Sequence, residues 1–319
     1  MKRSHMVAAL VVFFVSILLP LVVETDYALQ ILFRIYLFAA LGLAWNLVGG
    51  YAGQLSLGHA AYFGAGAYGL ALFSGKLGMS PWLAAAMGVV VALACALLIG
   101  GVSFRLRGPY FVLATIAFAE VLRLVAKNLA GITGGDVGVQ APALFHGNVN
   151  RAFYWAAVVL TALSFAVTVA ISRARFGYYL MAIREDEDTA LSVGIGAART
   201  KLAALLLSAA LTALAGALYA SLFLYIVPDQ VLSIDVSNEI AIVAMLGGAG
   251  TVLGPIVGSV VLESASEIFK NVFKEAHLLI YGMLLVVVVL FLPEGIVGAI
   301  TAFLRRRALF GGMKAKGVA

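Results

Sequence analysis

Apolar residues run in long uninterrupted blocks along this chain, and short polar or glycine-rich breaks separate them. The blocks fall at about 7–23, 28–48, 55–73, 82–103, 109–127, 152–172, 202–226, 237–249, 254–268 and 278–302. A helix needs about 20 residues to cross the hydrocarbon core of a bilayer, with about 17–25 tolerated. Only helices and closed barrels satisfy their backbone groups inside lipid. The pattern predicts an all-α polytopic membrane protein with ten transmembrane helices. The eighth and ninth blocks are short. They read either as two crossings or as a re-entrant hairpin of half-helices that turns at Gly247-Gly248-Ala249-Gly250. Broken helices are tolerated where they are buried in protein. Both readings leave the two termini on the same side.

Composition sharpens this picture. The chain has 319 residues, of which 63% are hydrophobic and 11% charged, and a mean hydropathy of +1.07. Soluble domains are about 45–50% apolar and about 25% charged. A single soluble core could not hide so much apolar surface, which excludes a soluble enzyme, a disordered regulator and a disulfide-stapled secreted scaffold. The one cysteine, Cys95, lies in an apolar block and reads as a small buried hydrophobe. Residues 1–26 resemble a signal peptide, but bulky residues stand where a cleavage site would need small ones. They read as a retained first helix.

The net charge of +6 matters less than where the charges sit. With the N-terminus in the cytoplasm, 14 of the 21 Lys and Arg fall inside and five outside; Arg34 and Arg123 lie within spans. The positive-inside rule therefore predicts that both termini are cytoplasmic. The chain also hints at repetition. Gly75 to Pro81 breaks it after the third span, and Gly250 to Pro255 after the eighth. Each break takes the same place in a five-span block, one over 7–128 and one over 152–302. Two such blocks have opposite topology, the arrangement of inverted repeats in transporters.

Two segments stand out. In the long cytoplasmic stretch 173–201, Arg184 is followed by Glu185, Asp186, Glu187 and Asp188. Acids favour the positive end of a helix, so these four are expected to begin a short one. Ala190, Leu191 and Val193 give it an apolar patch, and Gly194 and Gly196 end it before and after Ile195. Such a helix suits docking into a groove on another protein, and it equally suits a solvated connection. The second segment, Gly49 to Tyr68, is rich in Gly and Ala and carries Gln54, Ser56 and His59. Its glycines are expected to kink the chain at the cytoplasmic boundary. Three readings stay open: Gly53, Gln54, Ser56, His59 and Tyr62 line a translocation path, the small residues pack helices closely, or His59 is a ligand or proton carrier.

Asp188-Thr189-Ala190, three residues, then Gly194 resembles the EAA-xxx-G loop of ABC importer permeases, with Asp in the first position and Thr in the second. Gly50 to Tyr68, Leu106 to Phe111, Phe118 to Arg123, Thr133-Gly134-Gly135, Phe176-Gly177 and Ala182 to Glu187 are together similar to the LivM-type permeases of branched-chain amino-acid ABC transporters. Ser208-Ala209-Ala210, Leu214 to Ala220, Leu246-Gly247-Gly248 and Leu253-Gly254-Pro255 fit the same family, and the likeness runs from about residue 35 to 300. It implies a single transmembrane permease domain over 1–319 in a bacterial inner membrane. It further implies a second related permease, two ABC ATPase subunits and a periplasmic substrate-binding protein as partners, besides the lipid bilayer and without nucleic acid. Residues 184–188, 190, 194 and 195 would couple to the ATPase. The chain itself lacks a GxxxxGK[ST] loop. It is expected to bind no cofactor and to perform no covalent chemistry; ATP and Mg would be used by the partner ATPases. Transport would proceed by alternating access.

The outer loop carries Thr133, Gly134, Gly135 and Asp136, which could touch the binding protein or form a plain connection. Asp229, Asp235 and Glu239 could meet a basic patch on a partner. Charges inside a membrane are costly, about 2.5–3.5 kcal/mol at a helix centre. Glu120 and Arg123 are three apart, share a helix face and can pair. Arg34 can snorkel outwards, and Glu263 and Glu267 face either a path or water. Three alternatives compete with the importer reading: an ion-driven secondary transporter, with Glu120 the best-placed intramembrane carboxylate; a passive channel, whose Asn-Pro-Ala type of signature the sequence lacks; and the same ABC machinery with urea, amide or other amino-acid cargo.

Overall fold

The computed structural model describes residues 25–145, 147, 149–273, 282 and 295–301. Twelve helices are bounded within them. They are α1 (Asp26–Asn46), α2 (His59–Gly75), α3 (Pro81–Ser103), α4 (Pro109–Asn128), α5 (Ala130–Thr133), α6 (Val149–Arg173), α7 (Arg175–Glu185), α8 (Glu187–Ser192), α9 (Ala197–Phe223), α10 (Pro228–Val231), α11 (Ile234–Gly247) and α12 (Gly254–Phe273). A two-residue antiparallel pair, β1 (Val139–Gln140) with β2 (Tyr225–Ile226), ties two loops at one end of the bundle.

Six stretches among the described residues are long and apolar enough to cross a membrane: Asp26–Tyr51, Pro81–Ser103, Pro109–Asn128, Val149–Arg173, Ala197–Phe223 and Pro228–Gly247. Each overlaps an expected span, but the eighth, expected as the short block 237–249, begins nine residues earlier because α10 at Pro228 extends it. The third expected span is the 17-residue α2, and the ninth is α12, which carries Glu263, Glu267 and Lys270. The first span lies outside the described residues, as does most of the tenth.

The bundle is organised around α1, whose residues from Ile35 to Asn46 are all buried. Beside it, α6 places Thr161 Oγ1 2.7 Å from the Tyr36 carbonyl, and Tyr36 and Tyr154 meet edge to face at 5.6 Å. On another side α12 runs antiparallel to α1. Asn46 Nδ2 reaches the Thr251 carbonyl at 2.8 Å, Ser259 Oγ reaches the Ile35 carbonyl, and Tyr27 meets Glu267. The ninth block therefore accompanies α1 along its length.

Small residues let these helices approach closely. A β-carbon at Gly216 of α9 would strike the Phe63 carbonyl of α2, and one at Gly66 would strike the Ala213 carbonyl. Gly258 of α12 stands against the Val243 carbonyl of α11 in the same way. This is backbone-to-backbone packing by small residues, the usual means of joining helices in lipid.

Several charges on the described helices are paired. Arg123 Nε binds Glu120 at 2.8 Å, as the three-residue spacing predicts, and its guanidinium also meets Asp229. Lys127 joins the group through Asp229 at 2.8 Å. Arg34 lies 3.3 Å from Glu263 and 3.7 Å from Glu239. Rather than snorkelling alone, Arg34 meets carboxylates that α11 and α12 bring to it. Asp229 and Glu239 likewise spend their charge within this chain.

Candidate functional site

The stretch 175–192 forms two helices. Arg184 and Glu185 close α7, and Asp186, in an extended conformation at φ −159°, caps α8. This differs from the single acid-headed helix expected. The reason is local: Asp186 leaves helical geometry so that its Oδ1 can accept from the Thr189 amide at 2.6 Å. That amide, with the Thr189 side chain, holds the Asp186 carboxyl below its usual range. Glu187 and Asp188 occupy the first turn. At the far end Gly194 takes φ +87°, a left-handed conformation that suits glycine, and Ile195 donates to the Ala190 carbonyl at 3.0 Å.

Two ion pairs hold α8 against the bundle. Glu187 binds Lys201 of α9 at 2.6 Å, and the Lys201 side chain is only 1% exposed, with its Nζ 6.0 Å from the Phe104 ring centre. Asp188 takes both Nη atoms of Arg107, at 3.1 and 2.8 Å. Beneath them Ile183, Ala190 and Ala197 form a small buried cluster, with Ile195 against it. Leu191 and Val193 point outwards, 47% and 72% exposed. The result is a fixed helix that offers an apolar edge.

Arg184 reaches in the opposite direction. Its Nη1 donates to the Gly50 carbonyl at 2.7 Å. Gly50 belongs to a π-type turn, Leu47–Tyr51, that ends α1. The preceding Asn46 binds the loop between α11 and α12 twice, giving Nδ2 to Thr251 O at 2.8 Å and accepting from the Gly250 amide at 2.7 Å. A β-carbon at Gly50 would land on the Asn46 amide oxygen, which is why glycine stands there. Three chain breaks therefore meet in one knot: the end of α1, the end of α7 and the α11–α12 turn.

Beyond the turn, residues 52–58 run without regular structure back into the bundle. Trp45 Nε1 donates to the Ser56 carbonyl at 2.7 Å, and Thr115 Oγ1 accepts from the Leu57 amide at 3.2 Å. Gly53 is exposed and Gln54 half-buried, whereas Ser56, His59 and Tyr62 are enclosed by the chain itself. His59 Nε2 meets Ser208 Oγ at 2.8 Å, and its ring stands edge to face with Tyr62 at 5.6 Å. At the other end of the bundle Thr133 is buried and donates to the Leu129 carbonyl at 2.9 Å. Gly134 and Gly135 form tight left-handed turns, and Asp136 pairs with Lys127 at 3.2 Å while staying mostly exposed. No group of three or more His, Cys, Asp or Glu among the described residues is placed to hold a metal ion.

The sequence matches the family described as branched-chain amino acid transport system / permease component over residues 27–289. The chain belongs to this family. It is 30% identical over 288 residues to the high-affinity branched-chain amino acid transport system permease protein LivM of Escherichia coli, covering 82% of this chain and 67% of that protein. It is 25% identical over 285 residues to the LivH permease protein of the same organism, 82% and 91% of the two chains. A probable LivM of Methanocaldococcus jannaschii is 24% identical over 213 residues, 61% of each. No solved structure matches. As a member of the family the chain is a multi-pass membrane permease.

For a permease the chemistry of interest is mechanical. The Asp188-to-Gly194 pattern spans α8, the helix that two ion pairs fasten, and the left-handed turn that ends it. Sequence reading missed Lys201, Arg107 and Asn46 as parts of this fastening. Arg107 stands in a Leu-Arg-Gly-Pro turn, a connection where a basic residue looks merely solvated. Asn46, a lone polar residue at the end of an apolar block, was the clearest overlooked signal.

Proposed function

We propose that this chain is the membrane-spanning half of an ATP-driven importer for branched-chain amino acids, with α8 as the contact to an ATPase subunit. The observation that carries this reading is the pairing of an exposed apolar edge, Leu191 and Val193, with a buried attachment of α8 through Lys201, a surface ion pair to Arg107, and the Arg184 tie from the preceding helix to the end of α1. A contact that transmits work must have different free energies in two states of the whole, which a loosely tethered loop cannot supply.

The end of the bundle that carries Asn46 and α8 is cytoplasmic. Arg105, Arg107, Arg173, Arg175, Arg184, Arg199 and Lys201 cluster there, and the positive-inside rule supports that side. The opposite end, with Thr133 to Asp136, then faces the periplasm and a substrate-binding protein. The partner set is a second related permease, two ATPases that use ATP and Mg, and that binding protein. Gly53 and Gln54 stand at the cytoplasmic mouth of the route in this reading, and Ser56, His59 and Tyr62, which the chain encloses, pack the helices behind it. Ten crossings and a pair of inverted five-span repeats complete the proposal. In support, the Gly75-to-Pro81 break and the Gly250-to-Pro255 break lie at opposite ends of the bundle, as an inverted repeat requires.

The test is vesicle uptake of labelled leucine by the reconstituted transporter, together with cross-linking of Val193→Cys. ATP-dependent uptake and a cross-link to the ATPase support the reading. Uptake that persists with a catalytically dead ATPase points to an ion-driven carrier and overturns it.

A further inference from the structure

The periplasmic end of the bundle, as oriented above, holds a cavity of about 350 Å³ between α1, α6, α9 and α12. Its size lies in the range of small-molecule sites. Its walls carry opposite charges. Arg34 stands on α1, held from behind by Glu263 and Glu239. Glu267 stands on α12, fixed by the Tyr27 hydroxyl, to which Asn271 Nδ2 also donates at 3.2 Å. Gln30 and Asn150, 3.5 Å apart, add neutral polar groups. The remaining wall is apolar, formed by Leu222 and Phe223 at the end of α9.

Each feature narrows the occupant. A simple anion would face Glu267, with Glu263 and Glu239 behind Arg34, and a simple cation would lie beside the Arg34 guanidinium. A neutral apolar molecule would make no use of Glu267 or of the side of Arg34 that lines the cavity. A molecule with a carboxylate and an ammonium on neighbouring atoms and a short aliphatic tail satisfies all three walls. The larger cavity between α3, α6 and α9, about 600 Å³, is lined by Trp82, Phe145, Trp155 and Leu218 and has no charged residue. A zwitterion there would lose its hydration without compensation. We propose that the cavity between Arg34 and Glu267 binds the α-carboxylate and α-ammonium of an aliphatic amino acid, with the side chain against Leu222 and Phe223, as an entry site on the transport route. This inference rests on the importer reading. An ethanolamine phospholipid offers the same pair of charges and an apolar tail, so the test separates the two sources.

The experiment uses the complete transporter in phosphatidylcholine nanodiscs, in a Cys95→Ser background with Phe223→Cys as a reporter. Phe223 lines the cavity and is half exposed, so a maleimide and a free amino acid share the same opening. Saturating L-leucine is expected to slow labelling at least ~10-fold. The matching keto acid, which lacks the ammonium, and 3-methylbutylamine, which lacks the carboxylate, are expected to need at least ~10-fold higher concentration for equal protection, because a lost charged contact is worth about one decade or more in affinity. Adding Glu267→Gln is expected to remove protection by leucine and leave the unprotected labelling rate as it was. Labelling indifferent to leucine, in a preparation that takes up leucine with ATP, overturns the site and leaves the importer reading standing. Equal protection by all three ligands overturns it as mere apolar contact. Protection that follows phosphatidylethanolamine content and ignores leucine overturns it in favour of a lipid pocket. Protection by leucine without ATP-driven uptake supports the site and overturns the importer reading.

Discussion

Arg184, in the last turn of α7, donates Nη1 to the carbonyl oxygen of Gly50 at 2.7 Å and so joins the helix before α8 to the turn that ends α1. Its side chain passes over Gly53, where a β-carbon would collide with it. A basic residue at the end of α7 thus acts on the backbone of the central helix. Arg184→Lys keeps the charge and loses the fixed planar donor geometry. ATP-driven leucine uptake is expected to fall at least ~10-fold, the equivalent of one charge-assisted hydrogen bond, while the complex still purifies intact. Unchanged uptake by the lysine variant counts against the link.

Gly194 separates two effects of substitution. At φ +87° any side chain is strained, yet open space surrounds the position. Gly194→Ala is expected to cost about 1 kcal/mol of local stability and leave uptake largely intact. Gly194→Glu adds a charge beside the apolar edge of α8 and is expected to abolish substrate-stimulated ATPase activity. Normal coupling in the Glu variant removes α8 from the ATPase contact.

The Lys201–Glu187 pair is expected to behave as a buried pair. Lys201→Met alone or Glu187→Leu alone leaves one charge unmatched, at a cost of about 3 kcal/mol or more on the buried side. The double variant is expected to recover most of the lost thermal stability. Strict additivity of the two single losses in a detergent melting assay would show that the pair is not coupled.

Packing gives a control pair. Gly216→Ala drives a methyl into the Phe63 carbonyl, and overpacking of this kind costs about 1–3 kcal/mol. Gly101→Ala, on a helix face with nothing nearby, is expected to be neutral or to stabilise by about 0.5–1 kcal/mol. Melting temperatures of the two variants should move in opposite directions, or the first alone should fall.

Asp186 supplies a pH dependence with a definite sign. Its carboxyl is held down by the Thr189 amide, so its contribution is complete above the unfolded value of about 3.9 and fades as pH falls through the lower folded value. The cap of α8 is therefore intact throughout neutral and mildly acidic pH. NMR titration of a carboxyl-labelled Asp186 should give a value below that of a model aspartate. Asp186→Asn, which caps without ionising, should erase the acid-side loss of protection at the Thr189 amide.

Much of this arrangement was legible as sequence, because membrane helices announce themselves by length and apolarity. The Glu120–Arg123 pair was legible too, since both partners lie on one helix at a spacing that fixes their direction. The partners of Arg34 were not. They come from α11 and α12, and no local spacing encodes which distant carboxylate a bundle will bring to a given guanidinium. Lys201 escaped for a related reason: nothing in its local sequence marks the Glu187 carboxylate and the Phe104 ring that enclose it. Asp186 shows a third kind of gap. Four successive acids look alike in sequence, and only the backbone geometry selects the one that caps.

Asn46 offers its amide hydrogens to one residue of the α11–α12 turn and its amide oxygen to the residue before it. A slip of a single residue along that seam would forfeit both bonds together, whereas a swing that carries α1, α11 and α12 as one piece keeps both. The side chain works like a key in a shaft: it forbids sliding and permits turning, so the strokes of a transport cycle fall to the joints between this trio and the helices around it.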